Sequence, residues 1–267
     1  MSDFDERPGL RAIDHALAQG DLEAVKRALF ELDDAERRIL EAQMGRDALA
    51  RAFRSARSRR RGPGLGRVVV LPGLMGTELD SVDEKGDPDK IWVNLFRIAQ
   101  GRLDELKLTL DGRPLSPAHV VRTAGLYKKV YLPLLLALDE HWDVRPFGYD
   151  WRMDVDLSAR ALADDVRAWA AGEPAHLVVH SMGGFVARRF IQLFPDVWAS
   201  MNDPERRGRG GRLVMLGTPN RGSFAIPGAL SGEEDVVKKL ALIDLTRGVD
   251  GILDILNTFP GSYQTMP

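Results

Sequence analysis

The chain has 267 residues, 44% of them hydrophobic, and a formal net charge of -2, enough apolar material for one large domain or one domain with an appendage. A charge so near zero gives no ground for a nucleic-acid or strongly acidic partner, and the absence of cysteine excludes a disulfide framework, as suits a reducing cytoplasm. The acidic start MSDFDERPGL lacks the apolar core of a secretory signal, and the longest apolar run, Val130 to Leu138, is about half a membrane span and carries Pro133.

In chain order, residues 1–61 read as a helical region. Ile13 and Leu17 share one face, and Val25, Leu29 and Leu32 another, with Gly20-Asp21 as the break and cap between them. Asp33 and Glu36 have the spacing of a capping box and open a third helix carrying Ile39, Leu40, Met44, Leu49 and Phe53. Arg57, Arg59, Arg60 and Arg61 then form a cationic helix end that suits the helix dipole; contact with a phosphate surface is the alternative. Gly62 to Gly66 read as a linker.

From Arg67 to Pro267 strands and helices alternate. RVVVL, from Arg67, is short, apolar and β-branched, as expected of a strand buried on both faces. A long insertion follows, roughly Asp80 to Gly125, in which LKLTLDGRPL reads as a hairpin turning at Asp111-Gly112. WDVRPFGYDW holds a second strand. The next helix carries Leu157, Ala161, Leu162, Val166 and Trp169 on one side and stops at Gly172 and Pro174. HLVV and RLVML are the third and fourth strands, with GGFVARRFIQLF as the helix between them. This order means parallel strands with right-handed crossovers, an α/β class with a mostly parallel sheet.

The stretch HLVVHSMGG places Ser181 where that third strand meets its helix, at the carboxyl end of the sheet. Lifting a hydroxyl out of such a turn needs small neighbours, the logic of the G-x-S-x-G elbow. Gly183 supplies the downstream one and Gly184 adds room for the helix. Val179 stands in the upstream glycine position, and its bulk is expected to strain or open the turn. The plain alternative is a serine that only caps the helix. A nucleophile attacking an ester carbonyl also needs two N–H groups aimed at the developing oxyanion. Met182, at the helix start, is one candidate; Leu74, after Pro72-Gly73 at the end of the first strand, is the other.

VVVLPGLMGTEL, IWVNL, PFGYDWR, VVHSMGGFVARRF and LGTPNRGS occur in the order of the α/β-hydrolase fold. The chain from about Arg67 onward resembles bacterial relatives of lecithin:cholesterol acyltransferase and lysosomal phospholipase. The resemblance implies hydrolysis of, or O-acyl transfer from, a lipid-like carboxylic ester. It implies Ser181 as nucleophile and the Leu74 and Met182 amides as the oxyanion site, and it sets Trp92 near an acyl-chain site. It leaves the helical residues 1–61 without a counterpart.

That fold takes its acid and its histidine after the nucleophile. No histidine follows Ser181; His15, His119, His141 and His176 precede it, and His180 reads as packing that supports the elbow. Asp196, Asp203, Glu233, Asp235, Asp244 and Asp254 follow, but without the strand expected to carry the acid. The expectation is therefore a partial hydrolase domain with the central strands only, the fourth strand a bare edge, and weak activity in this chain alone. The alternative is a non-catalytic hydrolase-like scaffold that binds a protein partner. Neither reading calls for a cofactor or a metal, since no His/Asp/Glu cluster has ligand spacing. The expected partners are an acyl-ester substrate and at most a transient membrane surface; the expected location is the cytoplasm.

Overall fold

The structure, a computed structural model, describes residues 7–58, 64–109, 111–115, 120–202 and 210–267. The chain begins with helices α1 (Pro8–Gln19), α2 (Leu22–Glu31), α3 (Asp34–Met44) and α4 (Arg46–Arg57). Their ends follow the local chemistry. Gly20 closes α1 in the left-handed region, and Asp21 caps α2 by accepting from the Ala24 N–H at 2.8 Å. The Asp33–Glu36 capping box is complete, and Glu36 also accepts from the Gly9 N–H of α1 at 2.8 Å.

The third helix expected from the sequence is two helices. Gly45 divides it with φ 86° and ψ 149°, a conformation that glycine adopts and L-residues avoid. The apolar periodicity runs on across the break, which is why it concealed the turn. Arg59, Arg60 and Arg61 lie outside the described residues; the Arg57 guanidinium sits over the Phe30 ring, 6.0 Å from its centre.

The remaining elements are β1 (Arg67–Leu71), β2 (Thr77–Val82), β3 (Pro88–Trp92), α5 (Leu95–Ala99), β4 (Val120–Leu126), α6 (Lys128–Asp139), β5 (Asp143–Pro146), α7 (Val155–Ala170), β6 (Ala175–His180), α8 (Gly183–Leu193), α9 (Pro195–Ser200), β7 (Leu213–Leu216), α10 (Ala225–Leu230), α11 (Asp235–Ile243), α12 (Val249–Leu256) and α13 (Pro260–Tyr263). β5, β1, β6 and β7 form a parallel sheet in that order, and β3, β2 and β4 a smaller antiparallel one. The fold is therefore α/β with a mostly parallel main sheet. The insertion after β1 is more than a hairpin, because β2 recruits β3 and β4 into a sheet. The Asp111-Gly112 turn lies within it, closed by a bond from the Thr109 N–H to the Arg113 carbonyl at 2.7 Å.

β1 is buried on both faces, as its composition requires. Val69 and Leu71 face the core under α7 and α8, whereas Val68 and Val70 face a second core built with α6 and the N-terminal helices. The N-terminal helices thus share a core with β1 and α6. Leu65 donates its N–H to the His141 carbonyl at 2.7 Å, and α1 lies so close on β4 that a Cβ on Gly125 would meet the Ala18 nitrogen at 3.0 Å. A buried ion cluster ties the same parts. Asp14 of α1 accepts from Lys128 of α6 at 2.7 Å and from Lys90 of β3 at 2.6 Å, and Lys90 also pairs with Glu78 of β2. Burial alone would raise Asp14, but the Lys128 and Lys90 charges outweigh it and hold it below the usual carboxylate range. Burial raises Glu78, its partners notwithstanding.

Two further differences from the sequence reading have simple causes. The buried stripe of α7 runs through Val155, Ala159, Leu162 and Val166, so Leu157 is 51% exposed; the helix starts at the Asp154 cap and its inward face is rotated from the expected one. Among the described residues β7 pairs only with β6, and Val214 (44%) and Leu216 (39%) are exposed apolar side chains on it.

Candidate active site at the β6–α8 turn

β6 ends at His180 and α8 begins at Gly183, so Ser181 and Met182 make the whole turn. Ser181 has φ 48°, a left-handed conformation uncommon outside glycine. Its N–H donates to the Leu216 carbonyl of β7 at 3.0 Å and its carbonyl accepts from Gly184 at 3.0 Å, so the strain is held from both sides. The side chain is half-buried.

Neighbouring glycines carry the crowding. A Cβ on Gly73 would lie 2.9 Å from the Ser181 Cβ, and one on Gly183 would lie 2.6 Å from the Pro72 carbonyl oxygen. One on Gly184 would collide with Thr218. Val179 does not crowd the turn. Its side chain is fully buried in the core with Leu71 and Val186, one pleat back from the bend, so the expected strain falls on Ser181 instead.

The same contacts bring the Pro72–Thr77 loop against the serine. Gly76 donates to the Gly73 carbonyl at 3.0 Å, closing a β-turn with Leu74 and Met75 at its centre. Met75 has φ 60°, as the third residue of a type II turn requires. The central amides of such a turn do not bond within it. Among the described residues the N–H groups of Leu74, Met75 and Met182 donate to no protein acceptor. The loop carbonyls are engaged: Tyr149 Oη donates to Pro72 at 2.9 Å, Trp92 Nε1 to Met75 at 2.9 Å, Trp151 Nε1 to Thr77 at 3.0 Å and the Tyr127 N–H to Gly76 at 2.9 Å. The Gly73 N–H donates to Tyr131 Oη at 2.8 Å, and Tyr131 Oη lies 2.8 Å from His180 Nδ1.

These aromatic supports explain the PFGYDWR block. Tyr149 and Trp151 are buried and bond back to the loop, while Arg152 is buried and holds Asp150 with two nitrogens, at 2.9 and 2.6 Å. Tyr131, in the apolar helix α6, gave no signal of its role. Only the fold brings its hydroxyl beneath Gly73, with Gly76 lacking the Cβ that would block it.

Among the described residues, the sequence candidates for base and acid do not assemble around Ser181. His15 and His141 are exposed, and His176 is buried against Trp142, their ring centres 5.1 Å apart. His180 is turned to Tyr131, and burial lowers its pKa. Asp244 is engaged with Thr246 and Arg247, and Glu233, Asp235 and Asp254 are exposed. His119 and Asp203 lie outside the described residues. No hydrogen bond of the Ser181 hydroxyl occurs among the described residues. Among them, too, no group of His, Asp and Glu side chains is disposed to hold a metal ion, and no helix is long and apolar enough to cross a membrane. Beside the loop, an apolar cavity lined by Met75, Trp92, Trp151, Leu256 and Phe259 has a volume of only about 10 Å³.

No protein-family model matches the chain. It is similar to Uncharacterized protein YJR098C of Saccharomyces cerevisiae, with 28% identity over 142 residues, covering 48% of this chain and 21% of the yeast protein. The match thus spans about a fifth of that relative's length. A chain in the crystal structure of the Tle4-Tli4 complex is similar with a TM-score of 0.45 and 18% identity, over 76% of this chain and 54% of that one, a likeness of general architecture from which no chemistry follows.

Proposed function

We propose that Ser181 is the nucleophile of an enzyme that cleaves a lipid-like carboxylic ester, by hydrolysis or by O-acyl transfer, in the manner of the α/β-hydrolase relatives of lecithin:cholesterol acyltransferase. The single observation that carries this reading is the left-handed Ser181, bent out of a parallel strand and pressed against a loop whose Leu74 and Met75 amides are unengaged among the described residues. In the reaction Ser181 Oγ attacks the ester carbonyl. The Leu74 and Met182 N–H groups receive the negative oxygen, and the start of α8 adds its dipole. The acyl-enzyme passes to water or to an alcohol, and whichever acceptor reaches it decides between hydrolase and transferase. An acyl chain lying beside Trp92 requires the small apolar cavity there to widen.

A serine hydroxyl needs a base. In this reading a histidine paired with a carboxylate comes from outside the described residues. That the Ser181 hydroxyl has no hydrogen-bond partner among the described residues also favours a second reading, a hydrolase-like scaffold without catalysis. Labelling with a fluorophosphonate probe separates the two. The intact protein is expected to label at Ser181, and Ser181→Ala is not. A folded protein that leaves the probe untouched refutes the enzymatic reading and supports the scaffold.

A further inference from the structure

The carbonyl of Pro72 and the N–H of Gly73 belong to the same peptide unit. Tyr149 of the β5–α7 loop donates to its oxygen at 2.9 Å, and its nitrogen donates to Tyr131 of α6 at 2.8 Å. Both polar groups of one peptide plane are therefore held by hydroxyls from two different elements. Leu74 begins at the next peptide. With the preceding plane fixed at both ends, the direction of the Leu74 N–H depends only on φ and ψ of Gly73, and the turn bond from Gly76 to the Gly73 carbonyl, which shares a peptide unit with the Leu74 N–H, restricts both.

The geometry points to Tyr131 and Tyr149 as a clamp that aims the Leu74 amide at the oxyanion, which makes both of them positioning residues for the reaction at Ser181. This rests on the ester-cleaving reading above. Neither hydroxyl touches the serine; each acts through the backbone.

His180 completes the device. A phenol has one hydrogen. Among the described residues the acceptor beside Tyr131 Oη is His180 Nδ1, so the hydrogen goes there and a lone pair is left facing the Gly73 N–H. His180 must then be neutral with its proton on Nε2, which its burial favours. The residue preceding the nucleophile thus sets the polarity of the hydroxyl that holds the oxyanion loop. The glycines serve the same end: a Cβ on Gly73 would meet His180 Nδ1 at 3.0 Å, and one on Gly76 would meet Tyr131 Oη at 2.7 Å.

The test compares fluorophosphonate reaction at Ser181 in the intact protein, Tyr131→Phe and Tyr149→Phe, resolving the reversible binding constant from the maximal phosphonylation rate. Deleting an oxyanion donor outright costs about 10²–10³-fold. Misaiming one is expected to lower the maximal rate by about 10-fold or more, with binding unchanged within about two-fold. Leu40→Ala, a core truncation in α3, is the control for general loosening and should leave the rate within about two-fold even where it lowers the melting temperature further. Hydrogen exchange of the Gly73 amide is read in parallel and should quicken at least about 10-fold in Tyr131→Phe. If the unaltered protein labels and Tyr131→Phe labels as fast, the clamp is overturned and the nucleophile stands. If the unaltered folded protein does not label, the ester reading and the positioning role both fall, and quickened exchange at Gly73 in Tyr131→Phe then marks a structural bond only. Should Tyr149→Phe fail to fold, Tyr131→Phe, which removes one oxygen, carries the test alone.

Discussion

Asp14→Asn is the sharpest probe of how the N-terminal helices are joined to the rest of the protein. Asp14 accepts from Lys128 at 2.7 and 2.9 Å and from Lys90 at 2.6 Å. Its removal as a charge leaves two buried ammonium groups with Glu78 as the one carboxylate still ion-paired to either among the described residues. Breaking one partner out of a buried ion pair costs about 3–5 kcal/mol, because the remaining charge is stranded. Domains of ordinary stability have about 5–15 kcal/mol in all, so the loss would lower the melting temperature by roughly 10 °C. The double variant Asp14→Leu, Lys128→Met removes opposite charges together, leaves Lys90 with Glu78, and should be the milder of the two. Urea and thermal unfolding followed by circular dichroism measure both. The pH dependence is an independent check. Asp14 titrates below its unfolded value of about 3.9. Its contribution is therefore complete above that pH and is lost as pH falls through the lower native value, so wild type and Asp14→Asn converge in acid. A cost under about 1 kcal/mol, or a double variant worse than the single, would refute the claim that this cluster ties the helices to the sheets.

Three other outcomes are expected. Gly183→Ala places a Cβ 2.6 Å from the Pro72 carbonyl oxygen; a backbone atom cannot swing aside, so Ser181 labelling should fall about 10²-fold, whereas Gly248→Ala, with nothing within 4 Å, should label normally. Gly45→Ala also meets nothing within 4 Å, yet its φ of 86° should cost about 1–3 kcal/mol in urea unfolding through backbone strain alone; no cost would mean α3 and α4 join differently. Burial depresses His180, so the unfolded chain takes up its proton first; stability should decline as pH drops below about 6.5 and level off below the native value, and His180→Gln should abolish that part of the slope.

The alternation of apolar runs was enough to read four parallel strands and the serine at the end of the third, because a strand buried on both faces and a turn without room each restrict residue type strongly. Asp33 and Glu36 announced their cap for the same local reason. Gly45 and the inward face of α7 were not legible, since a glycine inside an apolar period and a stripe one step out of phase satisfy the same pattern. The roles of Tyr131, Tyr149 and His180 depend on contacts between α6, the β5–α7 loop, β6 and the turn after β1. The buried ions Asp14, Glu78, Lys90 and Lys128 likewise come from four separate elements. One-dimensional order thus determined which segments are strands, helices and tight turns, because these answer to neighbours along the chain. Which hydroxyl holds which peptide, and which charge neutralises which, was decided only by packing, because those energies depend on distances in space that sequence separation does not encode.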